Sequence, residues 1–277
     1  RVYGLREEGL SAWCWTGGYH LPLTTLCGSA RRDIVFLEPV IGIGELAISD
    51  HRSSQPTFDE FCRLASEAHV AGLMTGKAGV LHCHLGDGQR RLELIERAIQ
   101  ETEIPARTFQ PTHVNRNRPL FEAAIDLLKT GITIDLTAFP KGSEDPGLSA
   151  YDALQNLYQA GAAMSQVTVS SDGGGCMPAF DERGELCGLG YGSPETLLET
   201  LQLAWRGGEM FDSALRAMTS NVATLLRLHG KGRIAPGHDA DLLVVDDHLN
   251  LHSVMAGGHW HRLDGVQQRI GTFERDR

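Results

Sequence analysis

Nowhere in this sequence does an apolar run approach the ~20 residues of a bilayer-spanning helix, so no membrane span is expected. The six cysteines, Cys14, Cys27, Cys62, Cys83, Cys176 and Cys187, include no C-x-x-C pair. Several sit in apolar runs such as AWCWT and VLHCHLG, the usage expected of reduced thiols in a cytoplasmic protein rather than of a disulfide framework. Basic residues form no long stripe and the formal net charge is −10, which argues against a nucleic-acid partner. There is no low-complexity tract, and no G-x-G-x-x-G follows a strand-like run at the spacing of a dinucleotide turn. The opening residues RVYGLREEGL contain neither a Met nor the apolar h-region of a signal peptide, so no export is expected.

What is present is a regular alternation. Six apolar, β-type runs (LSAWCWTGG, VIGIGELAIS, GVLHCHLG, RTFQPTHV, GITIDLTAF and QVTVSSDGGG) are interleaved with segments of helical periodicity. The helical segments include TFDEFCRLASEAHVAGLM, QRRLELIERAIQET, PLFEAAIDLLKTG, SAYDALQNLYQAG and PETLLETLQLAW. Alternation of this kind predicts an α/β fold with a parallel sheet. Of the two common forms, the (βα)8 TIM-type barrel fits better than a doubly wound sheet, with about six of its units present in the 277 residues. After another helical stretch, MFDSALRAMTSNVATLLRLH, the pattern changes to short β runs broken by Gly, Pro and Asp. The predicted boundary is near Gly230, with the barrel in residues 1–229 and a small β appendage in 230–277.

The working side chains of such a barrel stand at the C-terminal ends of its strands. Those positions hold Tyr19 and His20, then Glu45, Asp50, His51 and Arg52, then His82 and His84. Further on they hold His113, Asn115 and Arg116, then Thr137, then Ser171 and Asp172. An isolated strand-end histidine is ordinarily a hydrogen-bonded core or loop residue. Two of them with an Asp and a Glu at matching positions form an N/O donor set suited to zinc or a similar divalent ion. His82, two residues before His84 on one strand face, reads as a histidine packed one layer deeper.

The segments GGYHLP, AISDHRS, HLGDG, PTHVNRNRPLFE and VTVSSDGGG, in this order, resemble the isoaspartyl dipeptidases of the amidohydrolase superfamily. The tail GKGRIAPGHDADLLVVD resembles the return of the chain into that superfamily's β-sandwich. The resemblance implies a metal-dependent hydrolase barrel. Two zinc ions bridged by hydroxide would cleave dipeptides joined through an aspartyl side chain. It implies that His84 and His113 are metal ligands, that Asp172 binds metal and shuttles a proton, and that Tyr19 polarises the scissile carbonyl. Arg52 and Arg116 would grip substrate carboxylates, and similar enzymes form homo-oligomers.

Three departures from the family pattern stand out. Glu45 occupies the position of a lysine that is carbamylated in the family. It ends in two oxygens and a negative charge, and is expected to bridge the metals without carbon dioxide; the alternative is that the flanking glycines shift it to pair with an arginine. The family's H-x-H pair on the first strand, with its Gly-rich turn and Glu, does not precede residue 1, so the N-terminal part is expected to be missing from this chain. Cys176 stands where a substrate-binding serine is usual. The Gly-rich segment from Ser171 to Glu195 is either a lid over the site or a plain surface loop. Two other functional readings remain: another amidohydrolase, such as a cyclic amidase or an N-acyl amino acid deacylase, and a catalytically silent barrel that serves as a binding subunit.

Overall fold

The computed structural model describes residues 1–140, 147–180, 183 and 185–271. Four strands, β1 (Cys14–Thr16), β2 (Val40–Ile48), β3 (Val80–Leu85) and β4 (Phe109–Thr112), pair in parallel and in chain order. Strands β5 (Ile134–Thr137) and β6 (Val167–Ser170) form a parallel pair that continues the arc. The step from β4 to β5 is bridged by the Val114 amide donating to the Asp135 carbonyl, at 3.4 Å. This is a TIM-barrel-like α/β arrangement, and no pairing joins β6 back to β1 among the described residues.

Nine helices accompany these strands among the described residues: α1 (Val2–Glu7), α2 (Ala30–Phe36), α3 (Phe58–Thr75), α4 (Glu93–Glu101), α5 (Arg118–Leu127), α6 (Ala150–Gln159), α7 (Glu195–Gly207), α8 (Phe211–Met218) and α9 (Ser220–Leu225). None is long and apolar enough to cross a membrane. Local chemistry sets their ends. In α3, Thr57 and Glu60 form a reciprocal capping box, and Gly76 closes the helix at φ 75°, a conformation that favours glycine. Its buried face, Phe61, Ala65, Ala68 and Ala71, repeats at helical spacing. The small residues bring α3 close to the sheet: a β-carbon at Gly72 would lie 2.7 Å from the Cα of Gly79. In α5, Asn117 accepts from the Leu120 amide at 2.9 Å, and Pro119 occupies the first turn.

Three features differ from the sequence reading or add to it. Short helices α1 and α2 were not anticipated, because six or seven residues carry too few turns for a periodic signal. The stretch 210–229 divides into α8 and α9 at Thr219, whose φ of −129° and ψ of −89° interrupt the helix. The segment after Asp172, read as irregular, contains an antiparallel pair, β7 (Cys176–Phe180) with β8 (Leu186–Tyr191). The proposed lid spans this pair, and its residues 181, 182 and 184 lie outside the described ones. At the C-terminal end, β9 (Leu242–Val245), β10 (Leu251–Ala256), β11 (His259–Leu263) and β12 (Val266–Gln267) form an antiparallel sheet.

Candidate active site

Strand β2 is buried along its whole length except at Glu45, which is partly open to the barrel mouth. Parallel pairing then aligns its neighbours: Ala47 faces His84 across β2 and β3, and His84 faces Thr112 across β3 and β4. Three turns that follow strands place a non-glycine residue in the left-handed region, Ser49 (φ 51°), His113 (φ 61°) and Asp172 (φ 49°). Such backbone is held only where surrounding structure over-determines it, and it gathers at functional sites.

These turns and strand ends bring Glu45, His84 and His113 together, with one donor atom from each lying within 4.8 Å of the others. Glu45 Oε2 is 3.5 Å from His84 Nδ1, and Oε1 is 3.4 Å from His113 Nε2 and 3.5 Å from His82 Nε2. Glu45 thus faces imidazoles, and the arginine pairing weighed as the alternative is not the arrangement found. Asp172 is half-buried and outside this donor group, although its carboxyl feels the charges of His113, Glu45, His84 and Arg116.

Each histidine has a partner behind it. Asp50, buried at the end of β2, accepts from His84 Nε2 at 3.0 Å. With Nε2 as the donor to Asp50, Nδ1 accepts from the Tyr19 hydroxyl at 2.8 Å, and Arg52 Nη2 lies 3.1 Å from the same Nε2, so Asp50, Arg52 and His84 form one cluster. Asp50 also takes Arg52 in a fork, Oδ1 to Nε at 3.0 Å and Oδ2 to Nη2 at 2.7 Å. His113 Nδ1 pairs with Thr137 Oγ1 at 2.7 Å. A β-carbon at Gly86 would fall on the Asp50 carboxylate, which explains a glycine in HLGDG.

Electrostatics follow from this packing. Burial alone would raise the Glu45 carboxyl, but His113, His82 and His84 outweigh it and hold the group well below the usual carboxylate range. Asp50 behaves alike, with His84 and Arg52 overcoming burial. Burial pushes His113 down; at His84 the same penalty is overcome by Asp50 and Glu45, leaving its pKa raised. Burial, then Glu45, pushes the Tyr19 phenol up, and burial raises Asp172.

The donor set fits a divalent metal. It is composed of imidazole nitrogen and carboxylate oxygen, and His113 Nε2 is buried without a hydrogen-bond partner, the condition of a nitrogen built to meet a cation.

The remaining expected residues lie around this group. The Arg116 guanidinium stands 6.0 Å from the Phe139 ring centre, its Nη1 is 3.9 Å from Asp87, and its Nε is buried without a hydrogen-bond partner. Cys176 is exposed at the start of β7. His20 and His51 are exposed; His20 bonds the Arg52 carbonyl at 2.7 Å, and His51 Nδ1 lies 3.6 Å from Asp50 Oδ1. Asn115 is structural: it donates to the Thr137 and Leu148 carbonyls and accepts from the Thr137 amide. Sequence reasoning placed Asp50 and Thr137 at strand ends but assigned them no task. A carboxylate or hydroxyl near a histidine in space leaves no spacing signal when it comes from another strand.

Residues 64–261 match the amidohydrolase family. The β-aspartyl dipeptidase of Fervidobacterium islandicum AW-1, solved in complex with a β-Asp-Leu dipeptide, is 39% identical, with 98% of this chain and 71% of that chain covered and a TM-score of 0.91. A second structure of the dipeptidase from the same organism is 37% identical, with 98% and 69% covered and a TM-score of 0.87. The D-hydantoinase of a Thermus species, 15% identical over 98% of this chain and 75% of its own, has a TM-score of 0.58 and shares the fold. With a matching family domain over most of its length and these relatives over nearly all of it, the chain belongs to the amidohydrolase family.

Proposed function

We propose that the protein hydrolyses β-aspartyl (isoaspartyl) dipeptides with two divalent metal ions, zinc being the first choice for this donor set. The observation that carries the reading is the convergence of Glu45, His84 and His113 within 4.8 Å, in a chain 39% identical to a dipeptidase solved with β-Asp-Leu. When bound, a metal pair supplies a hydroxide nucleophile at neutral pH and positive charge opposite a developing oxyanion.

The chain's own residues supply the rest. Glu45 offers two carboxylate oxygens and needs no carbamylation to be anionic. His84 presents Nδ1 and His113 presents Nε2, each held by the partner on its other nitrogen. Asp172 joins the ligand set and passes the proton from the attacking water to the leaving amine. The Tyr19 hydroxyl, which donates to His84 Nδ1 here, would be released from that nitrogen when it meets a metal and would donate instead to the scissile carbonyl oxygen. Arg116 meets a substrate carboxylate with a guanidinium whose Nε is otherwise unpaired, and Arg52, tied to Asp50 through Nε and Nη2, meets a second with Nη1. Cys176 contacts the substrate from the start of β7.

The test is turnover of β-Asp-Leu against α-Asp-Leu, a hydantoin and an N-acetyl amino acid, before and after chelation. Cleavage of β-Asp-Leu alone, abolished by chelator and restored by zinc, is expected. Preference for the hydantoin or the acyl amino acid would replace the dipeptidase reading. No turnover of any substrate by zinc-loaded protein would leave the silent barrel.

A further inference from the structure

Asp87 has no part in the chemistry proposed above, yet the turn that carries it is locked to its neighbour. After β3, the Gly88 amide donates to the Ser49 carbonyl at 2.7 Å, and the Ser49 hydroxyl donates to the Gly88 carbonyl at 2.8 Å. A β-carbon at Gly86 would fall on the Asp50 carboxylate, and one at Gly88 on the Ser49 backbone. The two glycines that flank Asp87 therefore seat against the turn after β2, and the Asp87 side chain leaves from a fixed base.

From that base the carboxylate reaches the turn after β4. Oδ1 accepts from Asn117 Nδ2 at 3.0 Å, and Oδ2 stands 3.9 Å from Arg116 Nη1. Asn117 is fixed at its other end, because its Oδ1 caps α5 by accepting from the Leu120 amide. The Arg116 backbone is held too: its amide donates to the His113 carbonyl at 2.9 Å, and a β-carbon at Gly147 would fall on its carbonyl. Its side chain has less support. Asp87 is the ion-pair partner of Arg116 among the described residues, and the Phe139 ring centre is 6.0 Å away. Arg52 differs, since the Asp50 fork already fixes its guanidinium, although the Asp87 charge is felt there as well.

We infer that Asp87 is a positioning residue that, fixed by its glycine-flanked turn and by Asn117, holds the Arg116 guanidinium where a substrate carboxylate meets it. The inference rests on the reading of Arg116 as a substrate contact. A guanidinium already held on one edge loses less freedom on meeting its ligand. The same negative charge repels a substrate carboxylate, so the sign of the effect decides between positioning and repulsion. Asp87 is 65% exposed, water screens the pair, and the effect is about 2- to 5-fold in substrate binding.

The experiment is kcat and KM for β-Asp-Leu on the zinc-loaded wild type, Asp87→Asn, Arg116→Ala and the double variant. Asn keeps an acceptor for Asn117 and removes the charge that faces Arg116. Asp87→Asn is expected to raise KM by about 2- to 5-fold with kcat unchanged. Arg116→Ala is expected to raise KM further, and the double variant to be no weaker than Arg116→Ala. An unchanged or lower KM in Asp87→Asn, or losses that multiply in the double variant, would overturn the inference while leaving Arg116 a substrate contact. An unchanged KM in Arg116→Ala would overturn both, and no turnover by the wild type would overturn the dipeptidase reading beneath them. Should Asp87→Asn fail to fold, Asp87→Ser removes the same charge, and an unchanged KM there would equally overturn the inference.

Discussion

At the scale of single residues, Asp50 has the most consequential position outside the donor group. One buried carboxylate sets the proton of His84 and the plane of Arg52. Asp50→Asn keeps the shape but cannot accept from both, and is expected to lower metal affinity by about 10- to 100-fold; chelator competition reads this directly. The donors themselves were legible in the sequence: Glu45 and His84 stand within apolar runs and His113 directly after one, and polar groups in those places draw notice. Their supports were not. Thr137 looks like any strand threonine until its hydroxyl is seen 2.7 Å from His113.

At the scale of elements, helix α3 shows how local and tertiary terms combine. Its capping box is local, and Thr57→Ala is expected to cost about 1 kcal/mol in urea unfolding. Its approach to the sheet is tertiary. Gly72→Ala would push a methyl against the Gly79 backbone, and a loss of about 1–3 kcal/mol is expected from overpacking, against the gain that Ala would give an exposed helix. Long amphipathic helices and apolar strands were readable because their periods repeat; α1, α2 and the β7–β8 pair were not, being too short or too rich in glycine to repeat.

At the scale of the whole molecule, the strands are tied together by buried polar groups. Asn221 on α9 donates to the Met164 and Val167 carbonyls at the start of β6. Asp33 on α2 is buried and accepts from the Thr16 hydroxyl and the Leu26 and Cys27 amides, joining α2 to β1 and the loop between them. Burial would raise its pKa, but these bonds win and lower it. A carboxylate depressed in the folded state binds its proton more readily when unfolded, so its contribution is full above the unfolded value of about 3.9 and is lost as pH falls through the folded value. Stability measured from pH 6 down to pH 2 is expected to fall, and Asp33→Asn to remove part of that slope while costing about 1–3 kcal/mol at pH 7. A variant with an unchanged slope would place the acid sensitivity elsewhere.

The sequence by itself determined the order of the six barrel strands and of the longer helices between them, and the presence of N and O donors on and after those strands, because period, capping and strand-end polarity are local properties. Only the tertiary structure decided which donors meet. Residues 45, 84 and 113 are far apart along the chain and come within 4.8 Å through parallel register. Which partner stands behind each of them depends on the same cross-strand geometry. Contacts of that kind arise between strands, where no spacing along the chain records them.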